Sequence, residues 1–451
     1  MDHSSALADD VLAIADGTMS KADQDAVCRL VFDYLACVRG AAGLPWVERV
    51  REWASTYAGT GRSRVGGGDL LVPAPVAAFA NATAAHGYEL DDTHDASLSH
   101  PGSVVISAAL AVAADAEVTG DRFLAAVAAG YEVMGRLGMA CDAGKVIARG
   151  HHPTALFGVF GAATAASLVG RRGKRSLLES WGHALSLASG SMQFADEDEG
   201  TDVKRVHAGH AAHGGVLAAE LAAAGISAPH RPIDGRYGVL ALFGHEPRLD
   251  RLRVDPADLI VHEISLKPYA CCRQFHSAID ALLEVLDAPD VDPADIRSLR
   301  VSGPEVLGEQ HSMRRPSSAM AAQYSLPYVV GAVVELGAQR FDAYEEPYLR
   351  DPRLLRWADM LEITVDDDLE RQYPEHFGAE VAVELQDGRR RSARVLDGLG
   401  TRARPFSWDD IEAKAVLMAG DRSGARPQEV HELRRTLAEL ASVADVAALG
   451  L

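Results

Sequence analysis

The chain has 451 residues, 44 basic and 64 acidic, for a formal net charge of −20. At roughly 150 residues per domain, this length predicts two or three domains with ample core. A hydrophobic share of 48% with 24% charged residues excludes disordered and fibrous classes. The acidic excess repels nucleic-acid backbones and anionic lipid, so neither nucleic acid nor a membrane is an expected partner, while a local basic pocket can still hold a small anion.

The opening segment MDHSSALADDVLA lacks the basic and apolar regions of a secretion signal. The five cysteines (Cys28, Cys37, Cys141, Cys271 and Cys272) include no C-x-x-C pair. Adjacent Cys271 and Cys272 cannot easily share a disulfide or chelate one zinc, and together these features predict a reduced, cytoplasmic setting. A helix is expected from Ser20, where Asp23 three residues on makes a capping-box-like start. Val27, Leu30, Val31, Tyr34, Leu35 and Val38 then recur at three- and four-residue steps as one apolar stripe.

Residues 103–114, 123–139, 154–169 and 177–194 are apolar on most faces and rich in Ala and Gly, as expected of closely packed helices inside a many-helix domain. The charge-free stretch 153–170 has about the minimum membrane-spanning length, but its Ala, Gly, Thr and Ser content reads as a buried helix.

Near Val261 the texture changes. Residues 298–302 (SLRVS) and 361–365 (LEITV) read as short strands. Residues 380–386 alternate apolar Val381, Val383 and Leu385 with more polar neighbours; Asp387-Gly388 then signals a hairpin, with 389–396 as the return strand. After Pro405, SWDDIEAKAVLMAG reverts to helix from Ser407. The fold expected is mainly α with an inserted α+β domain. It comprises a helical domain over 1–259, a smaller α+β lid over 260–398, and a helical tail over 399–451 that returns to the first domain.

No G-x-S-x-G elbow, H-E-x-x-H pair, P-loop or dinucleotide fingerprint is present. The acidic run 196–202 fails as a calcium loop, since its glycine falls at the fifth position and His207, not Glu, at the twelfth. His207, His210 and His213 are a poor metal set, because on a helix the first and last diverge by roughly 120°.

Four segments place polar side chains beside apolar helices. Glu89-Leu-Asp-Asp-Thr-His94 with His100-Pro-Gly102 can hold a base and its orienting partner, or simply cap helices. Arg149-Gly-His-His-Pro-Thr154 sets His152 at the mouth of a buried helix, as acid–base or as structural histidine. Lys204-Arg205-x-His207 can bind a carboxylate or form a solvated turn. Lys267-Pro-Tyr-Ala-Cys-Cys-Arg273-Gln-Phe-His276 can clamp carboxylates or merely connect domains. Tyr324, in QYSLPY, adds a phenol with the same two readings.

Taken in order, ANATAAHGYELDDTH with SHPGSVV, RGHHPTALFGVFGAA, VKRVHAGHAAHGG, LKPYACCRQFHSAID, AAQYSLPY and SWDDIEAK resemble the MmgE/PrpD superfamily, over about residues 75 to 417. Its known members include 2-methylcitrate dehydratase, cis-aconitate decarboxylase and iminodisuccinate epimerase. The resemblance implies a helical domain plus a smaller lid, an active site in the cleft between them, a homodimer, and neither metal nor organic cofactor. It implies Asp91, Thr93, His100, His152, Lys204, Lys267, Arg273, His276 and Tyr324 as site residues; His207 joins them as a substrate contact beside Lys204.

Members of the family commonly read Asp-Phe-Asp-Asp-Thr where this chain has Glu89-Leu90-Asp91-Asp92-Thr93, and an aromatic residue where it has His151. Ala155-Leu156 replaces a commonly more polar pair, and His213 falls at a variable position. These departures bear on the substrate rather than the fold.

The chemistry implied is proton removal next to a carboxylate, with cations stabilising the enolate and an acid assisting departure of hydroxide. The first expectation is a lyase of the dehydratase type acting on a small di- or tricarboxylate. In it His100, His152, Lys204, Asp91 and Tyr324 are catalytic, and Thr93, Lys267, Arg273, His276 and His207 hold substrate. An epimerase or isomerase, a decarboxylase, a metal hydrolase and a non-catalytic carboxylate-binding protein are the rivals.

Overall fold

The computed structural model describes residues 2–196, 201–419 and 426–450. Most of the run 196–202, considered above for calcium, lies outside them. The protein is mainly α-helical, with one small mixed sheet in its C-terminal part.

The N-terminal part runs through α1 (His3–Asp16), α2 (Lys21–Gly40), α3 (Pro45–Ser55), a two-residue ribbon of β1 (Ser63–Arg64) and β2 (Leu71–Val72), and α4 (Ala74–Ala85). It continues with α5 (Pro101–Ala113), α6 (Gly120–Cys141), α7 (Ala143–Ala148), α8 (Pro153–Val169), α9 (Lys174–Leu187), α10 (Val203–Ala223) and the single turn α11 (Val239–Leu242). The cap of α2 forms as its sequence requires: Asp23 N–H donates to Ser20 Oγ at 3.1 Å, and Ser20 N–H to Asp23 Oδ2 at 3.2 Å.

All 17 residues of α8 are buried, which accounts for its lack of charge. Among the described residues no helix is long and apolar enough to cross a membrane. Small residues let α10 lie backbone to backbone on its neighbours. A Cβ on Gly215 would meet Ala162 Cβ of α8 at 2.3 Å, and one on Gly209 would meet Phe79 O of α4 at 2.8 Å.

The stretch 177–194 does not form one helix. It ends as α9 at Leu187, turns at Gly190 (φ +114°), and pairs back along the start of α8, with His152 N–H donating to Gly190 O at 3.0 Å and Met192 N–H to Gly150 O at 2.9 Å. The backbone conformation open to Gly190 breaks the apolar periodicity that suggested continuity.

The chain crosses to the sheet-bearing part at 265–266. Ser265 pairs with Thr93 in an antiparallel bridge, and Leu266 N–H donates to Gly400 O at 2.9 Å. Beyond the crossing lie α12 (His276–Leu286), β3 (Ile296–Gly303), α13 (Val306–Gln310), α14 (Ala319–Gln323), α15 (Leu326–Leu336), α16 (Pro352–Met360), β4 (Leu361–Val365), α17 (Asp367–Glu370), β5 (Ala379–Leu385) and β6 (Arg390–Val395). The sheet order is β4-β3-β5-β6, with β3 and β4 parallel and the other pairs antiparallel. Strand β5 buries Ala379, Val381, Val383 and Leu385 in alternation, and α12 packs across β5 and β6.

Helices α18 (Trp408–Met418) and α19 (Pro427–Ala438) pack on α2. Lys414 of α18 reaches through to Asp33 Oδ1 and to the carbonyl of Leu90, both at 2.7 Å.

Candidate active site

A cavity of about 580 Å³ lies between the helical part and the sheet-bearing part, and seven of the ten residues expected at the site line it: Thr93, His100, His152, Lys204, Lys267, Arg273 and Tyr324. His94, His100, His152 and His311 line the cavity, and two of them, His100 and His152, arrive by the same local device. Each is the N-cap of a buried helix, α5 for His100 and α8 for His152, and each is followed by proline at the first helical position. Neither ring bonds the N–H groups of its own helix, although both stand at the N-cap position.

His100 Nδ1 lies 3.0 Å from the carbonyl of Asp92. A carbonyl only accepts, so Nδ1 carries the proton and the Nε2 lone pair is left to the cavity. Burial holds the imidazole of His100 well below its ordinary pKa, and burial followed by the charge of Lys204 does the same for His152. Both rings are therefore neutral near pH 7.

Lys204 enters from the first turn of α10, buried and cavity-facing. Its ammonium contacts Glu89 Oε1, lies 3.2 Å from His86 Nε2, and sits over the ring of Tyr324. Glu89 stands in the left-handed region (φ +58°), costly for a residue with a Cβ, and is fully buried. Its other oxygen accepts from Tyr324 OH at 3.1 Å and lies 3.7 Å from Lys267 Nζ. Burial pushes the Glu89 carboxyl up, but the neighbouring ammonium groups, Lys204 foremost, outweigh it and hold the group well below the usual carboxylate range. One internal carboxylate thus partners both lysines.

Arg273 is 7% exposed and reaches Asp95 Oδ2 at 3.4 Å; its Nε and Nη1 are buried with no hydrogen-bond partner among the described residues. Buried unpaired donors are costly, and on a cavity wall an anionic ligand would satisfy them. Asp95 also accepts from Thr93 Oγ1 at 3.1 Å and Ser265 Oγ at 2.9 Å, which ties the arginine to the crossing point.

Three expected residues do not reach the cavity. Asp91 lies behind it, its Oδ2 accepting from His86 Nδ1 at 2.7 Å. His207 lies behind His152, Nδ1 to Nδ1 at 3.0 Å. His276 is corrected as a substrate contact: it is fully buried at the start of α12, with its ring edge-on to Tyr269 at 5.2 Å and its Cβ against Gly398. The turn Arg273–Phe275 carries Arg273 to the cavity and rotates His276 into the core. Arg205 is not a cavity cation either. It stacks on Trp46 at 4.2 Å and donates to Gly87 O and Gln323 Oε1.

His86 and Asp95 are site residues that the local sequence does not single out, although both lie close to the ELDDTH segment that carries their neighbours. Donor atoms of His86, Asp91 and His100 lie within 4.8 Å of one another, a spacing compatible with a metal ion. Lys204 already occupies the open lone pair of His86, and a second ammonium stands by Glu89. A divalent cation would face both, so the donor set fits hydrogen bonding better than metal.

Residues 5–252 match the MmgE/PrpD N-terminal domain and residues 269–439 the MmgE/PrpD C-terminal domain. The chain belongs to the MmgE/PrpD family. Curated relatives align over nearly the full length. A cis-aconitate decarboxylase-like protein, oryM, of Aspergillus oryzae is 28% identical over 445 residues, covering 93% of this chain and 90% of the relative. The cis-aconitate decarboxylase of Aspergillus terreus is 26% identical, covering 90% and 86%. The human cis-aconitate decarboxylase is 26% identical, covering 86% and 81%. These MmgE/PrpD relatives are enzymes by name, and the cavity described here lies between the regions matched by the two domains.

Proposed function

We propose that this MmgE/PrpD protein is a lyase that removes a proton next to a carboxylate of a small di- or tricarboxylate and then expels water. The observation that carries the reading is the convergence, on one cavity, of neutral imidazoles (His100 and His152) with Lys204, Lys267 and the unpaired edge of Arg273. Arg273 and Lys267 hold the carboxylates and stabilise the enolate; His100, His152 and Lys204 are the proton carriers. Positioned acid–base groups contribute on the order of 10²–10⁴ in rate, and preorganised cations add a similar or larger share.

Loss of CO₂ instead of water is the second reading, favoured by the names of the curated relatives. It uses the same cations and returns a proton to the carbanion. Incubation with hydroxy-, amino- and unsaturated polycarboxylates in deuterated water, followed by mass spectrometry, separates the outcomes. Water loss supports the first reading and CO₂ loss the second. Deuterium exchange alone points to an epimerase, and no change in any compound rejects the lyase reading.

A further inference from the structure

We infer that Asp91, His86 and Lys204 form a proton relay in which His86 takes a proton from the Lys204 ammonium, leaving a neutral amine at the cavity wall as the base of the lyase reaction. The role in that reaction rests on the reading above; the relay itself rests on hydrogen-bond geometry. Asp91 Oδ2 lies 2.7 Å from His86 Nδ1, and His86 Nε2 lies 3.2 Å from Lys204 Nζ. An ionised carboxylate only accepts, so Nδ1 of His86 carries its proton and Nε2 presents a lone pair to the ammonium. This is the order of an acid–histidine–nucleophile triad, with an amine in the reacting place. Of the three, only Lys204 lines the cavity.

Moving the proton changes little in the local charge balance. The positive charge passes from Nζ to a ring held by Asp91, and it stays beside Glu89, whose Oε1 lies 3.8 Å from His86 Nε2. The other groups facing Lys204 are Lys267, which disfavours its charge, and Tyr324, which is held protonated by burial and by Glu89. His100, His152 and His207 face it as neutral rings, and Cys272 as a thiol kept protonated by burial.

The cycle balances. An Nζ–H bond breaks as Nε2–H forms. The substrate C–H bond then breaks as a new Nζ–H bond forms, leaving the electron pair on the enolate. The departing hydroxide takes a proton from Nζ by way of the His152 ring, which lines the same cavity, and leaves as water, and His86 returns its proton to Nζ. His86 acts through Lys204 and is a positioning residue.

Two readouts test the relay, each with His86→Gln, which keeps an acceptor for the ammonium but cannot hold its proton, and with Asp91→Asn as a second variant should the first not fold. In catalysis, kcat should fall by about a hundredfold or more with KM nearly unchanged, and the acid limb of the pH–rate profile should move up. In labelling without substrate, brief acetic anhydride treatment read by mass spectrometry reports the Lys204 amine. A relay keeps total protonation fixed while making amine, so wild-type acetylation should be flat between about pH 6 and 8, whereas in His86→Gln it should rise about tenfold per pH unit. Wild-type kcat and acid limb retained in the variants overturn the relay. So does a wild-type Lys204 that never acetylates or that follows the variant's slope. If the wild type acts on no polycarboxylate, the lyase reading fails, and labelling alone decides the relay.

Discussion

His152 and His207 meet Nδ1 to Nδ1 at 3.0 Å, from the N-cap of α8 and the second turn of α10. Two N–H groups cannot face one another, so one ring carries its proton on Nδ1 and the other offers a lone pair there. A second proton would set two donors head to head. Burial, and then the charge of Lys204, depress both rings, His207 from its usual 6.5 to about 4.

That depression fixes the sign of a pH effect on stability. Between 6.5 and about 4 the unfolded chain binds protons that folded His207 refuses, so stability is fully present above the upper value and falls as pH drops through the window, by up to about 1.4 kcal/mol per pH unit for each such group. Urea unfolding between about pH 4.5 and 7.5 should show this slope, and His207→Gln should make it shallower. An unchanged slope would place His207 outside the titrating set.

His152→Asn should lower turnover by at least about a hundredfold with KM little changed, because the ring moves protons and does not clamp the substrate. Asn is the cleaner replacement, since Ala would leave the Nδ1 of His207 facing an empty space. Steady-state kinetics decide the point, and intact turnover would return His152 to a structural role.

Arg273→Ala should act in the opposite manner, raising KM by more than about tenfold and lowering kcat to a lesser degree, because a carboxylate clamp serves ground and transition states alike. Its buried, unpaired Nε and Nη1 also imply little loss of stability on truncation, since few bonds are broken. Kinetics with a parallel melting curve check both halves.

Lys414→Met should cost about 3–5 kcal/mol, because it strands the carboxylate of Asp33 in the core. The double variant Asp33→Leu/Lys414→Met should recover most of that loss. Urea midpoints of the two single variants and the double variant measure the coupling. A double variant as unstable as the single would mean that the bond from Lys414 to the carbonyl of Leu90 carries the effect.

Local signals in the sequence were accurate where the structure is local. Ser20 with Asp23, Ser407 with Asp410, and the alternation leading into Asp387-Gly388 each specify hydrogen bonds within a few residues, and each forms. His100 and His152 were legible for a related reason, because His-Pro ahead of an apolar run marks a helix mouth. Burial behind the cavity was not legible. Nothing near Arg205 announces Trp46 or Gln323, which lie 159 and 118 positions away in the chain, and nothing near His276 tells which way one turn of 3₁₀ helix will rotate its ring. His86 was hidden by its setting, a single imidazole closing an alanine-rich helix whose partners come from α10 and from a strained turn. Glu89 could be read only as a lengthened acid; its place between two lysines depends on a backbone conformation that its residue type disfavours.

The contact of α8 with α10 through Gly215 and Ala162 has a consequence for thermal motion. Glycine and alanine have no rotamers to exchange, and at such close approach the two backbones cannot slide without collision. His152, Lys204 and His207 are carried at or near the beginnings of these two helices, so a change in their spacing would require the helices to part. Arg273 and Tyr324 reach the same cavity from short helices and turns instead. On the reading proposed above, a substrate would meet one face built on two closely locked helices and another built on short elements.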